Sequence, residues 1–134
     1  MLQPITEKSY LVELNLGTVA VQKQINFQFI PQLEGSIIYG IQSFSATQLS
    51  LSPNGSAVVT AAGLADLTVT FVVGDTQDVF LLPVADLNSP LIQGFIRMFN
   101  NKKLNLTKSF VTIQSTATVA SSQSILFNFL YRKA

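Results

Sequence analysis

The stretch at residues 18–30, TVAVQKQINFQFI, decides the fold class of this chain. Apolar side chains there fall on every second position, and neutral polar side chains fill most of the positions between them. Alternation with a period of two indicates a β-strand that is buried on one face and solvated on the other. Lys23 interrupts the apolar parity, so we expect a bend, a bulge or a sheet edge at this position. The inward set of this strand is Val19, Val21, Ile25, Phe27 and Phe29.

The same alternation recurs along the chain and predicts further short strands. In the segments at 67–73 and 124–131, the odd-numbered apolar positions are expected to face the core. Residues 91–100 fit both a strand and a helical face, and Gly94 weakens either pattern; we predict an extended segment there. Residues 84–89 between two prolines predict an irregular loop. The predicted strands are residues 10–16, 37–44, 47–51, 57–60, 67–73, 79–82, 109–114 and 124–131.

Turn-forming residues separate these strands. Residues 52–55 (Ser-Pro-Asn-Gly) predict a β-turn, residues 74–75 (Gly-Asp) a tight hairpin, and residues 100–101 (Asn-Asn) another reversal. Eight or nine short strands without a convincing long helix predict an all-β fold, namely a jelly-roll-like antiparallel β-sandwich of about eight strands. A chain of 134 residues is expected to form a single β-sandwich domain over residues 1–134.

Charge is scarce in this chain and segregated by sign. Charged residues make up 11% of the chain, less than half of the usual ~25%. Residues 1–96 carry seven acids and two lysines, whereas residues 97–134 carry six cations and no acid. Neutral polarity comes instead from 43 Gln, Asn, Ser and Thr residues. Because neutral polar groups enter an interface without the desolvation penalty of ions, this composition favours a surface covered by neighbouring subunits, with a merely charge-poor soluble domain as the alternative.

The composition excludes most catalytic and metal-binding constellations. The chain has no histidine and no cysteine, which excludes a Ser-His-Asp triad, a Cys-His pair, a disulfide framework and a zinc site built on thiolate or imidazole. Asp75, Asp78 and Asp86 lack the dense spacing of a calcium loop, and the glycines match no phosphate-binding loop. We therefore expect no enzyme, no cofactor and no metal site. No signal peptide is expected at the start, and no apolar run is long enough to span a membrane.

Four cations within twelve residues, Arg97, Lys102, Lys103 and Lys108, form the candidate contact surface. Interleaved with aromatic residues, such a cluster suits phosphates and stacked bases, and its binding would be salt-sensitive and weakly sequence-specific. The net charge of +1 is unlike that of dedicated nucleic-acid binders. Lysines that merely blunt a sheet edge are a further alternative. We favour complementarity, in which an acidic face of another subunit meets this cluster in a head-to-tail contact.

Residues 86–90 (DLNSP), 94–101 (GFIRMFNN) and 106–110 (LTKSF), within an alternating and charge-poor chain, resemble small bacteriophage virion proteins with a single jelly-roll domain. The resemblance implies a capsid component at a vertex or in an auxiliary or decoration role. It also implies location in the virion after synthesis in the host cytoplasm, with copies of the chain or other capsid subunits as partners. A β-sandwich binding module for nucleic acid or carbohydrate is the alternative, and a soluble trimeric ligand is a third. The lack of Trp and the presence of only three Tyr disfavour carbohydrate.

Overall fold

Seven strands, a short α-helix and a 3₁₀ helix make up the regular structure of the described residues. The computed structural model describes residues 8–19, 24–73, 78–88, 97–114 and 118–132, with the backbone alone at 73, 78–81 and 97–102. The helix α1 spans Ala61–Leu64, and the 3₁₀ helix spans Val84–Leu87. The strands are β1 (Lys8–Asn15), β2 (Gln24–Asn26), β3 (Ile37–Phe44), β4 (Leu67–Val73), β5 (Asp78–Pro83), β6 (Arg97–Ile113) and β7 (Ser124–Arg132).

All pairings between these strands are antiparallel, and one long strand joins two sheets. The first sheet has the order β1-β7-β3-β6, and the second has the order β2-β6-β4-β5. Strand β6 belongs to both, because residues 97–103 pair with β3 and residues 104–113 pair with β4. Counting its two parts separately gives two four-stranded sheets, the arrangement of a jelly roll. The predicted fold class is therefore confirmed: the fold is all-β, antiparallel and sandwich-like.

Aromatic rings from both sheets meet in the core. Phe71 on β4 lies edge-on to Phe127 and Phe129 on β7, with ring centroids 6.1 and 5.9 Å apart. Phe27, just after β2, packs with its ring centroid 5.5 Å from that of Phe127. The odd positions of β4 and β7 are buried as predicted, and this fixes the register, since a slip of one residue would expose the whole set. The buried set is Leu67, Val69, Phe71, Ile125, Phe127, Phe129 and Tyr131.

The strand predicted at residues 18–30 is much shorter in the structure. Only β2 within it pairs with β6, and Ile25 and Phe27 are buried as expected. The prediction for Phe29 is wrong, because its side chain is 61% exposed. After Phe27 the chain leaves the sheet and turns at residues 31–35, so the inward parity ends there. Residues 20–23 of the predicted strand, which include Val21 and Lys23, lie outside the described residues.

The reversal predicted at residues 100–101 is wrong, because β6 runs unbroken through them. The turn propensity of asparagine yields here to pairing with β3, where Ile38 lies opposite Lys102. The strand predicted at residues 109–114 forms the end of this same long strand. The first part of the predicted extended segment, residues 91–96, lies outside the described residues.

A bulge interrupts the part of β6 that pairs with β4, a few residues after the strand has passed from one sheet to the other. Its register against β4 shifts between Thr70 and Val72. The buried hydroxyl of Ser109 takes the place of a ladder partner there, accepting from the Val72 N–H at 3.1 Å and donating to the Asn105 carbonyl at 2.9 Å. The interrupted ladder thus keeps its backbone groups hydrogen-bonded inside the core.

Residues 45–60 form turns where the sequence predicts strands at 47–51 and 57–60. Pairing in this segment is limited to two isolated bridges, Leu51 with Ala57 and Val58 with Ser124 on β7. Val58 is buried, but it forms no continuous ladder with β7. The β-turn predicted at residues 52–55 is confirmed. The Gly55 N–H donates to the Ser52 carbonyl at 2.9 Å, and Gly55 has a φ of 83°, a conformation that favours glycine.

Two further loop predictions have different outcomes. The segment predicted as an irregular loop at 84–89 begins instead with the 3₁₀ helix, which packs its buried Val84 and Leu87 into the core. The hairpin turn predicted at residues 74–75 lies outside the described residues, although β4 and β5 pair on either side of it. Among the helices that the structure describes, none is long and apolar enough to cross a membrane.

Candidate contact surfaces

The four cations of the predicted contact surface all lie on β6, but they do not gather in one patch. Lys102 and Lys103 lie opposite the start of β3, whereas Arg97 lies farther along β3, opposite Ile41. Lys108 lies in the β6 bulge, and its side chain, like that of Lys103, is exposed. At about 3.3 Å per residue, the backbone from Arg97 to Lys108 covers roughly 35 Å. One small partner group therefore does not reach all four.

Antiparallel pairing brings another cation beside Lys103. Ile37 on β3 lies opposite both Lys103 on β6 and Arg132 on β7, so these residues form a line across three strands. With strands about 4.8 Å apart, the Cα atoms of the two cations are roughly 10 Å apart. Lys8 on β1 is also exposed at this end, but it lies opposite the buried Tyr131 and therefore on the other face of the sheet from Arg132. We call the exposed cations Lys103 and Arg132 the basic row.

Sequence reasoning missed one member of the basic row, Arg132, because only the strand register reveals that it is a neighbour of Lys103. Tyr39 supports Arg132, since its ring centroid lies 5.2 Å from the guanidinium carbon of Arg132 in a cation–π contact. Glu34, in the turn before β3, lies at the same end of the sandwich, and its Oε2 atom is buried without a hydrogen-bond partner. The exposed charge at this end is therefore mainly positive among the described side chains.

Two acids lie at the opposite end of the sandwich. Strand β3 begins at Ile37, and near its other end the Ser43 hydroxyl donates to the Val84 carbonyl of the 3₁₀ helix at 3.2 Å. Asp86 is exposed on that 3₁₀ helix. The helix α1 contacts the 3₁₀ helix, and Asp66 follows two residues after the end of α1. The residue steps along β3 separate this end from the basic row by about 20 Å. We call Asp66 and Asp86 the acidic pair.

Glu13 on β1 fastens the turn at residues 52–55 to the first sheet. Its carboxylate accepts hydrogen bonds from the Ser52 hydroxyl at 2.7 Å, the Ser124 hydroxyl at 2.9 Å and the Asn54 N–H at 3.3 Å. Partial burial alone would raise the pKa of Glu13, but these hydrogen bonds outweigh it and hold the pKa below its ordinary value. The carboxylate is therefore ionised at neutral pH and occupied in a structural role.

A groove of about 790 Å³ opens between β1 and β2. Its lining is rich in neutral amides and includes one carboxylate, Glu13, and one phenol, Tyr10. Groups of this kind hydrogen-bond neutral polar ligands, and the volume falls within the range of small-molecule sites. The lining amides are Asn15, Gln24, Asn26, Gln28 and Asn54.

Large apolar side chains also reach the surface of the described region. Phe29 and Leu51 are 61% and 58% exposed, and Leu11 and Leu49 are exposed to a smaller degree. Leu11 lies on β1, Phe29 follows β2, and the two other leucines lie in the turns at residues 45–60. Apolar contact surface is therefore present on both sides of the groove.

The described side chains include no group of three or more His, Cys, Asp or Glu residues placed to hold a metal ion. The fully buried polar side chains of this region are serines and threonines, such as Ser43 and Ser109, which are occupied in hydrogen bonds to the backbone. In comparisons with known proteins, no family model, no curated protein and no solved structure matches the chain.

Proposed function

We propose that this chain is a non-enzymatic structural subunit of a large assembly, and specifically a viral capsid component in a vertex, auxiliary or decoration role. Copies of the chain, or other capsid subunits, are its partners, and the virion is its location. Jelly rolls are common in viral capsids, but they also occur in lectins and cupins, so the fold supports this proposal only by analogy.

The observation that carries the proposal is the surface. Phe29 and Leu51 expose more than half of their side chains on a domain that has few charges and many neutral polar groups. Burying such a side chain completely is worth about 1.5–3 kcal/mol. The core of a protein interface combines apolar side chains with a scarcity of charge, which matches this surface.

The mechanism of such a subunit is repeated contact. Apolar and neutral polar surface supplies the affinity, while Lys102 and Lys103 at the start of β3 steer approach and register. The other two cations of β6, Arg97 and Lys108, lie apart from them along the strand. Nucleic acid is the less favoured partner for these cations, because they are spread along β6 and the net charge is only +1.

Sedimentation velocity over a concentration series tests the proposal. We expect the wild-type chain to form species larger than a monomer at micromolar concentration, and Phe29→Ser and Leu51→Ser to shift the distribution toward monomer. Gln28→Ser, an exposed polar neighbour of Phe29, is the matched control and is expected to behave as wild type. A wild-type chain that stays monomeric throughout the series would contradict self-assembly.

A second candidate function is a binding module for carbohydrate or nucleic acid, and the groove between β1 and β2 is the observation in its favour. One of the three tyrosines, Tyr10, lines this groove beside several amides, which is chemistry suited to a sugar. Titration calorimetry with neutral oligosaccharides and a single-stranded oligonucleotide tests it. Heat that disappears in Asn26→Ala would favour a ligand in the groove, and the absence of heat with every ligand would count against this function.

A further inference from the structure

We propose that the basic row (Lys103 and Arg132) of one copy of this chain docks onto the acidic pair (Asp66 and Asp86) of a second copy. This inference rests on the proposed self-assembly and names the two surfaces that meet. It differs from the cluster predicted on β6, because the strand register selects Lys103 from those four cations and adds Arg132 from β7.

The basic row is arranged as a contact surface. Its side chains are exposed and come from β6 and β7, which both pair with β3, so that rigid sheet pairing fixes their spacing. The Tyr39 ring beneath Arg132 restricts a long side chain that would otherwise lose rotamer freedom on binding. A charge that is already oriented in the free subunit binds at a smaller entropic cost.

The acidic pair is arranged to receive these charges. Asp86 is exposed on the 3₁₀ helix, and Asp66 is partly exposed beside α1, with one oxygen accepting from the Thr118 hydroxyl. Both segments are fastened to the sandwich, since the Asn88 amide donates to the Ser43 carbonyl at 2.9 Å and the Gln114 N–H to the Asp66 carbonyl at 2.8 Å. The acids therefore keep a fixed position relative to the sheets.

The placement of opposite charges at opposite ends favours a second copy over nucleic acid. A polyphosphate meets attraction at the basic row and repulsion at the acidic pair, whereas a second copy satisfies both surfaces at once. Because the two surfaces differ, the contact is heterologous and generates a ring when it closes or an open array when it does not. Either outcome is compatible with a subunit of a larger shell.

Charge reversal with recombination of the variants tests the inference on the full chain. The row variant is Lys103→Glu with Arg132→Glu, and the pair variant is Asp66→Lys with Asp86→Lys. Each variant alone places like charges at the contact. We therefore expect its self-association to be weakened by up to roughly tenfold in sedimentation velocity at low salt. A mixture of equal amounts restores opposite charges at every contact, and association is expected to return toward the wild-type level.

Several controls keep this test decisive. Circular dichroism and thermal unfolding establish whether each variant is folded. If a double variant does not fold, the single variant Lys103→Glu or Asp86→Lys takes its place. Lys108→Glu makes the same charge change on β6 outside the basic row, and we expect it to associate as wild type. In 1 M salt, where the Debye length is about 3 Å, the difference between variants and wild type should largely disappear.

The outcomes separate this inference from the proposed function. Wild-type association that neither charge-reversed variant weakens would overturn the docking surfaces and leave self-assembly standing. The same holds if Lys108→Glu alone disrupts association, or if the mixture fails to recover. A wild-type chain that is monomeric throughout would overturn self-assembly itself. An oligonucleotide bound by wild type and by the pair variant but not by the row variant would assign the basic row to phosphate instead.

Discussion

Replacing Glu13 by glutamine tests how the turn at residues 52–55 is held on the first sheet. The two oxygens of this carboxylate accept from Ser52, Ser124 and the Asn54 N–H. Glutamine preserves the shape of the side chain but turns one acceptor into an NH₂ donor. Whichever way the amide is oriented, at least one of these donors loses its acceptor.

The magnitude of the effect follows from the loss of charge-assisted hydrogen bonds. A hydrogen bond to a charged group contributes about 1.5–3 kcal/mol, and a neutral one about 0.5–1.5 kcal/mol. Glu13 is only partly buried, so water replaces some of the lost partners and reduces the cost. We therefore expect Glu13→Gln to lower the free energy of unfolding by about 1–2 kcal/mol at neutral pH.

The effect of Glu13→Gln is also expected to depend on pH. The folded-state pKa of Glu13 lies below its ordinary value, so ionised Glu13 stabilises the fold at every pH above the unfolded-state pKa, about 4.3. That stability is lost as the pH falls from there through the folded-state pKa. The difference between wild type and the variant should hence be constant near neutrality and shrink in acid.

Urea denaturation at pH 7 and at several values below 4.3 measures both effects. Glu34→Gln is the matched control, because Glu34 has a buried Oε2 atom without a hydrogen-bond partner and so has no such bond to lose. We expect the control to unfold at the same or a higher urea concentration than wild type at pH 7. Equal losses in the two variants, or a Glu13→Gln loss that is unchanged in acid, would refute the role given to this carboxylate.

Three further predictions concern the core. Phe71→Ala removes a fully buried ring that packs against Phe27, Phe127 and Phe129. We expect urea titration to show a loss of about 3–5 kcal/mol in the free energy of unfolding, whereas Phe29→Ala at an exposed site should change it little. Gly63→Ala places a Cβ atom 2.5 Å from the Val59 side chain and 2.9 Å from a backbone oxygen, so thermal unfolding should show a loss of about 1–3 kcal/mol despite the better helix propensity of alanine. Ser109→Ala leaves a buried N–H and a carbonyl without their partner, and we expect a loss of about 1–3 kcal/mol together with faster amide hydrogen exchange at Val72.

The sequence predicts inward-facing positions well where a strand lies in the middle of a sheet. In β4 and β7 each odd apolar residue that has a described side chain is buried, because both strands have neighbours on two sides and one face against the core. The prediction fails at Phe29, where the alternation continues in the sequence but the chain has already left the sheet. Period-two alternation shows that a segment is suited to form a half-buried strand. It does not show where the pairing with a neighbouring strand ends.

The reversal predicted at residues 100–101 fails for a related reason. Two successive asparagines favour a turn locally, yet β6 continues through them because β3 supplies a ladder on one side. The irregularity in β6 is instead the bulge near Ser109, a residue that no turn rule selects. Its signal is a buried hydroxyl within an apolar strand, which becomes interpretable only when the register of β4 is known.

The candidate contact surfaces show the same dependence on register, with a consequence for how charge is distributed. In the sequence, cations are concentrated after residue 96, and this suggests one basic face. In the fold, β6 distributes its cations over roughly 35 Å, while strand pairing brings Arg132, near the end of the described chain, beside Lys103. Asp66 and Asp86 come from connections at the far end of β3. The exposed side chains of Lys103 and Arg132 therefore lie at the opposite end of the sandwich from those two acids, and unlike surfaces on one rigid body favour a directional contact between copies.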